Sequence, residues 1–167
     1  MGEILEQPGV VEFLSAIGGL LSSDEDTRSS SEAVIQDLMI NSRASAIRNS
    51  AYAMCLPEAD QPFVRAASVS LGLSLRCSFG FSFERVREEW ELIVPEEQNS
   101  IIGALLSGIS HPDDTTRNSC AYSLSQIVRM DYKDLFIIVE SLVSLLSGWC
   151  ENRDNSKIHS AAGAIET

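Results

Sequence analysis

The chain matches itself at an offset of 40 residues. Leu105-Leu106-Ser107-Gly108 recurs letter for letter as Leu145-Leu146-Ser147-Gly148. In the same register Asp114 falls on Asp154, Arg117 on Lys157 and Ala121 on Ala161. A fainter copy lies upstream, where Leu20-Leu21-Ser22 precedes Arg28 by a shorter loop. Arg65, within Val64-Arg65-Ala66-Ala67, holds the corresponding position of a second unit. Each unit reads as a first helix (A) ending in an apolar pair, a polar turn with Asp, and a second helix (B) with an early cation. One helix pair cannot bury its apolar face alone, so neighbouring pairs must stack.

Apolar residues recur at helical spacing almost everywhere, and no stretch alternates convincingly at period two. Val10, Val11, Phe13, Leu14, Ile17, Leu20 and Leu21 form one helix face. The polar stretch Ser22 to Thr27 ends it, and Asp24 can cap the next helix, whose expected buried stripe is Val34, Ile35 and Leu38. Helices follow at Arg43–Cys55 and Gln61–Cys77, the second opened by Asp60-Gln61-Pro62 with proline in the first turn. Ser78–Ser82 reads as a turn around Gly80, and Phe83–Leu92 as a short acidic helix. Further helices are expected at Glu96–Ile109, Asp113–Arg129, Lys133–Trp149 and from Ser156 onward, about nine in all. A period of about 40 residues in helix pairs is that of HEAT/armadillo arrays. The expected fold is an all-α superhelix, a HEAT/armadillo-type solenoid of about four repeats. The repeats are placed at 8–41, 42–78, 94–129 and 131–167, with a linker helix at 83–92. Because residues 160–167 keep a mid-helix pattern, the sequence reads as the N-terminal part of a longer array.

Charge narrows the function. The 24 Asp and Glu against 12 Lys and Arg give −12. A surface that acidic repels phosphate backbones and favours basic protein partners, so nucleic-acid binding is a poor expectation. No apolar run approaches the roughly 18 residues of a membrane-spanning helix. The N-terminus is acidic and lacks the apolar core of a signal peptide. Cys55, Cys77, Cys120 and Cys150 are scattered without a C-x-x-C pair and read as reduced packing residues.

The chemistry-bearing residues favour structural roles. Cys120 with His111 or His159 would be the starting point for nucleophilic catalysis, but Cys120 shares the packing stripe of Ala121 and Leu124. No His or Cys pair has zinc-ligand spacing. Gly18, Gly19 and Gly103 fall inside helices, where they would permit close helix contact, and no glycine-rich phosphate loop is present. Glu84, Glu88, Glu89 and Glu91 share a helix with Arg85 and Arg87, a charge-laced surface. Arg28, Arg65, Arg117 and Lys157 suggest a ladder in which each cation reaches an Asp in a neighbouring unit's turn, such as Asp24, Asp114 or Asp154. Trp90 and Trp149 are expected to fill gaps between helices. The expectation is a non-enzymatic protein with no cofactor and no metal. Its binding surface should be the B-helix face opposite the packing stripes, which lines the concave side of a solenoid. The residues placed there are Ser29, Gln36, Ser70, Ser119, Tyr122, Gln126 and Arg129, together with Leu73.

The run Leu20-Leu21-Ser22-Ser23-Asp24, with Arg28 and Glu32 after it, resembles the opening of the first HEAT repeat in importin-β (karyopherin-β) transport receptors. Phe63-Val64-Arg65-Ala66-Ala67-Ser68-Val69-Ser70-Leu71 is similar to that family's second B helix. Trp90, ahead of Ile101-Ile102 and Leu105-Leu106, falls where the family often places a tryptophan. The resemblance runs from about Val10 to Ile165 and is strongest to the importin-5-like branch. One departure is Gly72-Leu73, where the family commonly carries Lys-Asn or paired basic residues. The resemblance implies a nuclear transport receptor segment that binds the GTPase Ran in its GTP form and helps import basic protein cargo. It also implies shuttling between cytoplasm and nucleus, contacts with nucleoporins through repeats beyond this chain, and no nucleic-acid or membrane partner. The alternative is a phosphatase- or coat-type HEAT scaffold without a transport role.

Overall fold

The computed structural model describes residues 9–77, 80–130 and 135–152. The expected helix from Ser156, and the expectations for Asp154, Lys157, His159 and Ala161, lie outside the described residues. So do Ser78 and Phe79 of the turn, and the side chains of Trp149 and Cys150. Among the described residues the fold is all-helical, an α-α superhelix of eight helices without strands. They are α1 (Val10–Gly19), α2 (Glu25–Asn41), α3 (Arg43–Met54), α4 (Gln61–Leu75), α5 (Phe83–Glu91), α6 (Pro95–Gly108), α7 (Asp114–Met130) and α8 (Leu135–Asn152).

Local chemistry sets most helix starts. Asp24 accepts a hydrogen bond from the Thr27 amide at 2.9 Å, and Asp60 accepts one from Phe63 at the same distance. Ser82 caps α5 through the Arg85 amide, and Asp113 caps α7 through Thr116. Each cap satisfies a donor that the first helical turn leaves without a partner. Pro62 and Pro95 occupy first-turn positions, where the missing N–H costs nothing.

The helices pair as α1 with α2, α3 with α4 and α6 with α7. The A helices form one row, α1–α3–α6–α8, and α4 lies closely along α7. One apolar cluster joins Phe13, Ile17, Ile35, Met39, Ala46 and Ala67. A larger one runs through Ile47, Leu71, Leu75, Leu105, Leu124, Ile127 and Leu142. Trp90 is fully buried in the larger cluster with Val86, so it fills a gap between helices as expected. In α2 the fully buried row is Ser31, Ile35 and Met39, whereas Val34 and Leu38 of the expected stripe are half-buried. Of the helical glycines expected at close contacts, only Gly19 is one, against Ser31; Gly18 and Gly103 face open space.

Buried Arg43 ties two repeats together. Its guanidinium donates to the carbonyls of Met39 (3.2 Å), Ser74 (2.9 Å) and Arg76 (2.9 Å) and lies 4.1 Å over the Phe81 ring. These bonds satisfy carbonyls at the C-terminal ends of α2 and α4. Burial lowers the Arg43 pKa, and the carboxylate of Glu89 opposes that shift.

Candidate protein-interaction surface

The B helices carry the candidate surface, and α2 stands apart from α4 enough to leave an open groove of about 440 Å³. Leu20 and Leu21 are among its lining residues. One wall is Glu32, Ile35, Gln36 and Met39 of α2, and the other is Pro62, Arg65, Ala66, Val69, Ser70 and Leu73 of α4. The groove is mainly apolar, with Val69 38% and Leu73 37% exposed. Its charged lining groups are Glu32 and Arg65. Arg65 is engaged elsewhere, donating to both carboxylate oxygens of Asp113 at the start of α7. Among the described residues the uncompensated charge of the groove is therefore that of Glu32.

The hydrogen bonds from Arg65, with those from Thr116, hold the Asp113 carboxyl down at about 2. Among the described residues this pair is the one rung of the expected cation ladder that crosses between repeats, and its acceptor is Asp113 rather than the expected Asp114. Arg28 instead donates within its own unit, to the Ser22 carbonyl at 3.0 Å and Glu25 at 2.8 Å. Arg117 does the same, donating to the carbonyls of His111 and Pro112, both at 2.8 Å, and pairing with Asp114. The reason is length. An Arg in the first turn of a B helix reaches back over its own A–B turn and satisfies that turn's carbonyls before it can reach a neighbour.

The seven expected surface residues divide. Ser29 and Gln36 are exposed on α2, and Gln36 lines the groove. Tyr122 is 41% exposed on α7, Ser119 is half-buried, and Arg129 is exposed with its guanidinium 5.9 Å from the Phe83 ring centre. Ser70 and Gln126 are corrections. Ser70 is 3% exposed and accepts a hydrogen bond from the Ser50 hydroxyl at 3.1 Å. Gln126 is 7% exposed, its amide directed at the Ser125 hydroxyl. A B helix in the stack touches its own A helix and also the adjacent B helices, so its buried arc is wider than a single core stripe. The departure at Gly72-Leu73 has a structural meaning. A Cβ at Gly72 would lie 3.5 Å from the Ser123 hydroxyl and 3.8 Å from the Tyr122 ring, so Gly72 sits at the α4–α7 contact, while Leu73 turns into the groove. Val69 joins Leu73 there at i,i+4 spacing, an exposed apolar pair whose sequence signal is its place on the far side of the Leu71–Leu75 stripe.

Cys120 is fully buried, and burial pushes its thiol up to about 12, opposite to what a nucleophile needs. His111 accepts the Asp113 amide at 3.1 Å, within its own turn. Among the described residues no group of three or more His, Cys, Asp or Glu is placed to hold a metal ion, and no helix is long and apolar enough to cross a membrane. On the A-helix side a smaller cleft of about 210 Å³ separates α3 from α6, spanned by Arg48 and Glu97 at 3.4 Å.

No family model and no curated protein sequence matches this chain. Its fold does match a solved structure, a complex of Kap95p with Ran in which Kap95p binding induces the switch loops of RanGDP to adopt the GTP-bound conformation. The TM-score is 0.70 at 14% sequence identity, over 94% of this chain and 23% of the other. The chain thus spans less than a quarter of that protein's length. The stacked helix pairs have the karyopherin-type HEAT fold.

Proposed function

We propose that this chain is a segment of a karyopherin-β-type nuclear transport receptor, without enzymatic activity, that binds a Ran-type small GTPase in its GTP-bound switch conformation. The observation that carries this reading is the α2–α4 groove: an exposed apolar strip on the B-helix side with Glu32 on its wall, in a fold like that of Kap95p. The apolar strip would supply affinity and the −12 charge would speed encounter with a partly basic partner. Specificity for one nucleotide state requires contacts that only one switch conformation can make. The order of weak motifs in the first two repeats supports placement near the importin-5-like branch, import of basic cargo, and shuttling between cytoplasm and nucleus. A four-repeat segment offers less area than a full receptor, so its affinity should be modest.

The test is titration of the chain with Ran loaded with a GTP analogue or with GDP at two salt concentrations. The GTP form should bind at least tenfold more tightly, and binding should weaken with salt. Val69→Glu with Leu73→Glu should abolish it, and Tyr122→Ala should weaken it. Equal affinity for both nucleotide states, or indifference to the groove substitutions, favours a HEAT scaffold without a transport role.

A further inference from the structure

The first two A–B turns meet around an open apolar pocket of about 480 Å³. Its apolar lining is Leu21 of the first turn, Leu56 and Pro57 of the second, and Phe63 at the start of α4. Leu21 is 46% exposed, and neither Leu21 nor Leu56 belongs to either core cluster. These side chains are therefore not needed to hold the repeats together. The second turn is fixed by its own backbone. The Ala59 amide donates to the Leu56 carbonyl at 3.1 Å, closing a β-turn with Pro57 at its second position. Proline there sets the backbone in advance, so a partner meets a preformed surface and docking costs little ordering entropy.

The rim of this pocket is acidic. Glu58 and Asp60 are its charged lining residues, and both are exposed. The cations early in the two B helices are engaged elsewhere. Arg28 pairs with Glu25 at 2.8 Å and donates to the Ser22 carbonyl, and Arg65 pairs with Asp113. Asp24, Asp26, Glu58 and Asp60 lie in or beside these two turns, and among the described residues none of them has an ion-pair partner. The sign of that surplus selects the occupant. A second copy of the chain would bring a net charge of −12, and residues 1–8 carry Glu3 and Glu6 without a Lys or Arg. Like charges at close range disfavour both, and a cationic partner is favoured.

We propose that this turn pocket docks a linear segment of another protein, in which a bulky apolar side chain is flanked by Lys or Arg. The apolar side chain seats against Leu21, Leu56 and Phe63 and supplies affinity through the area it buries. The flanking cations meet Glu58 and Asp60, and they raise the rate of encounter and select against acidic segments. The pocket is distinct from the α2–α4 groove, with Leu21 alone lining both. The inference goes beyond the proposed function and stands whether or not the GTPase reading holds.

Fluorescence anisotropy of the 167-residue chain with a labelled lysine-rich peptide carrying one central phenylalanine tests it. The comparisons are the same peptide with serine in place of the phenylalanine, and one with glutamates in place of the lysines. The phenylalanine peptide should bind about tenfold more tightly than the serine peptide, and the glutamate peptide should not bind. Leu56→Ser should weaken binding about fivefold with helical circular dichroism unchanged, because Leu56 supports neither core cluster. Glu58→Gln should weaken it about threefold, whereas Glu88→Gln, an equal change of charge at an exposed site on α5, should leave it unchanged. Val69→Ser with Leu73→Ser, in the groove, should also leave it unchanged, which separates this site from the one the GTPase reading uses. Equal binding of the phenylalanine and serine peptides overturns the inference. So does a phenylalanine peptide that fails to bind, or one that Leu56→Ser and Glu58→Gln together leave bound as before.

Discussion

The Asp113 carboxylate does two jobs, capping α7 through Thr116 and receiving Arg65 from the preceding repeat. Its folded-state pKa of about 2 lies below the ordinary 3.8. A depressed carboxylate stabilises the fold fully above its unfolded pKa and loses that stabilisation as pH falls through the folded value. The window for this group is therefore about pH 4 down to about pH 2. Arg65 is half-exposed, so solvent screening holds the contribution to about 1 kcal/mol. Asp113→Asn should cost about that much at pH 7 by urea denaturation, and the gap to wild type should close by about pH 2. A gap that persists at pH 2 would assign the effect to the cap alone. Arg43 is the stronger residue-level tie, since its loss leaves three carbonyls short of a donor. Arg43→Met should destabilise by about 3 kcal/mol, and Arg43→Lys should not rescue it, because one ammonium cannot reach the same spread of acceptors. The aspartate caps at Asp24 and Asp60 were readable from the residues around them. The Arg65–Asp113 bond was not, because it joins groups 48 positions apart.

At the scale of helices, close approach is set by small residues. A Cβ at Gly108 would collide with the Cys120 sulfur and lie 3.2 Å from the Met54 terminal methyl, so α6, α7 and α3 converge at that glycine. Gly108→Ala should therefore destabilise the chain by about 1–3 kcal/mol. Adding Cys120→Ala should return most of the loss, because it removes the colliding atom. Strict additivity of the two substitutions in thermal or urea unfolding would refute this steric account. The same crowding explains the misplaced serine and glutamine. The periodicity of α4 and α7 reports one apolar stripe each. Ser70 and Gln126 are polar residues in the wider buried arc, each with a hydroxyl within hydrogen-bond reach. No single-helix pattern distinguishes such a residue from one in water.

Across the whole molecule the −12 charge should govern the salt dependence of the proposed binding: affinity at the α2–α4 groove for a basic partner should fall as salt rises, read in the same two-salt titration. The helices, and the starts that Asp24 and Asp60 cap, were determined by the amino-acid sequence itself. Those properties rest on capping hydrogen bonds within four residues and on an apolar period of 3.6. Only the tertiary structure decided which B-helix positions meet solvent, which arginine crosses between repeats, and that α2 and α4 stand apart as a groove. Each of these depends on a neighbour tens of residues away, whose distance and tilt follow from side-chain volumes at the contact and leave no trace in the local pattern.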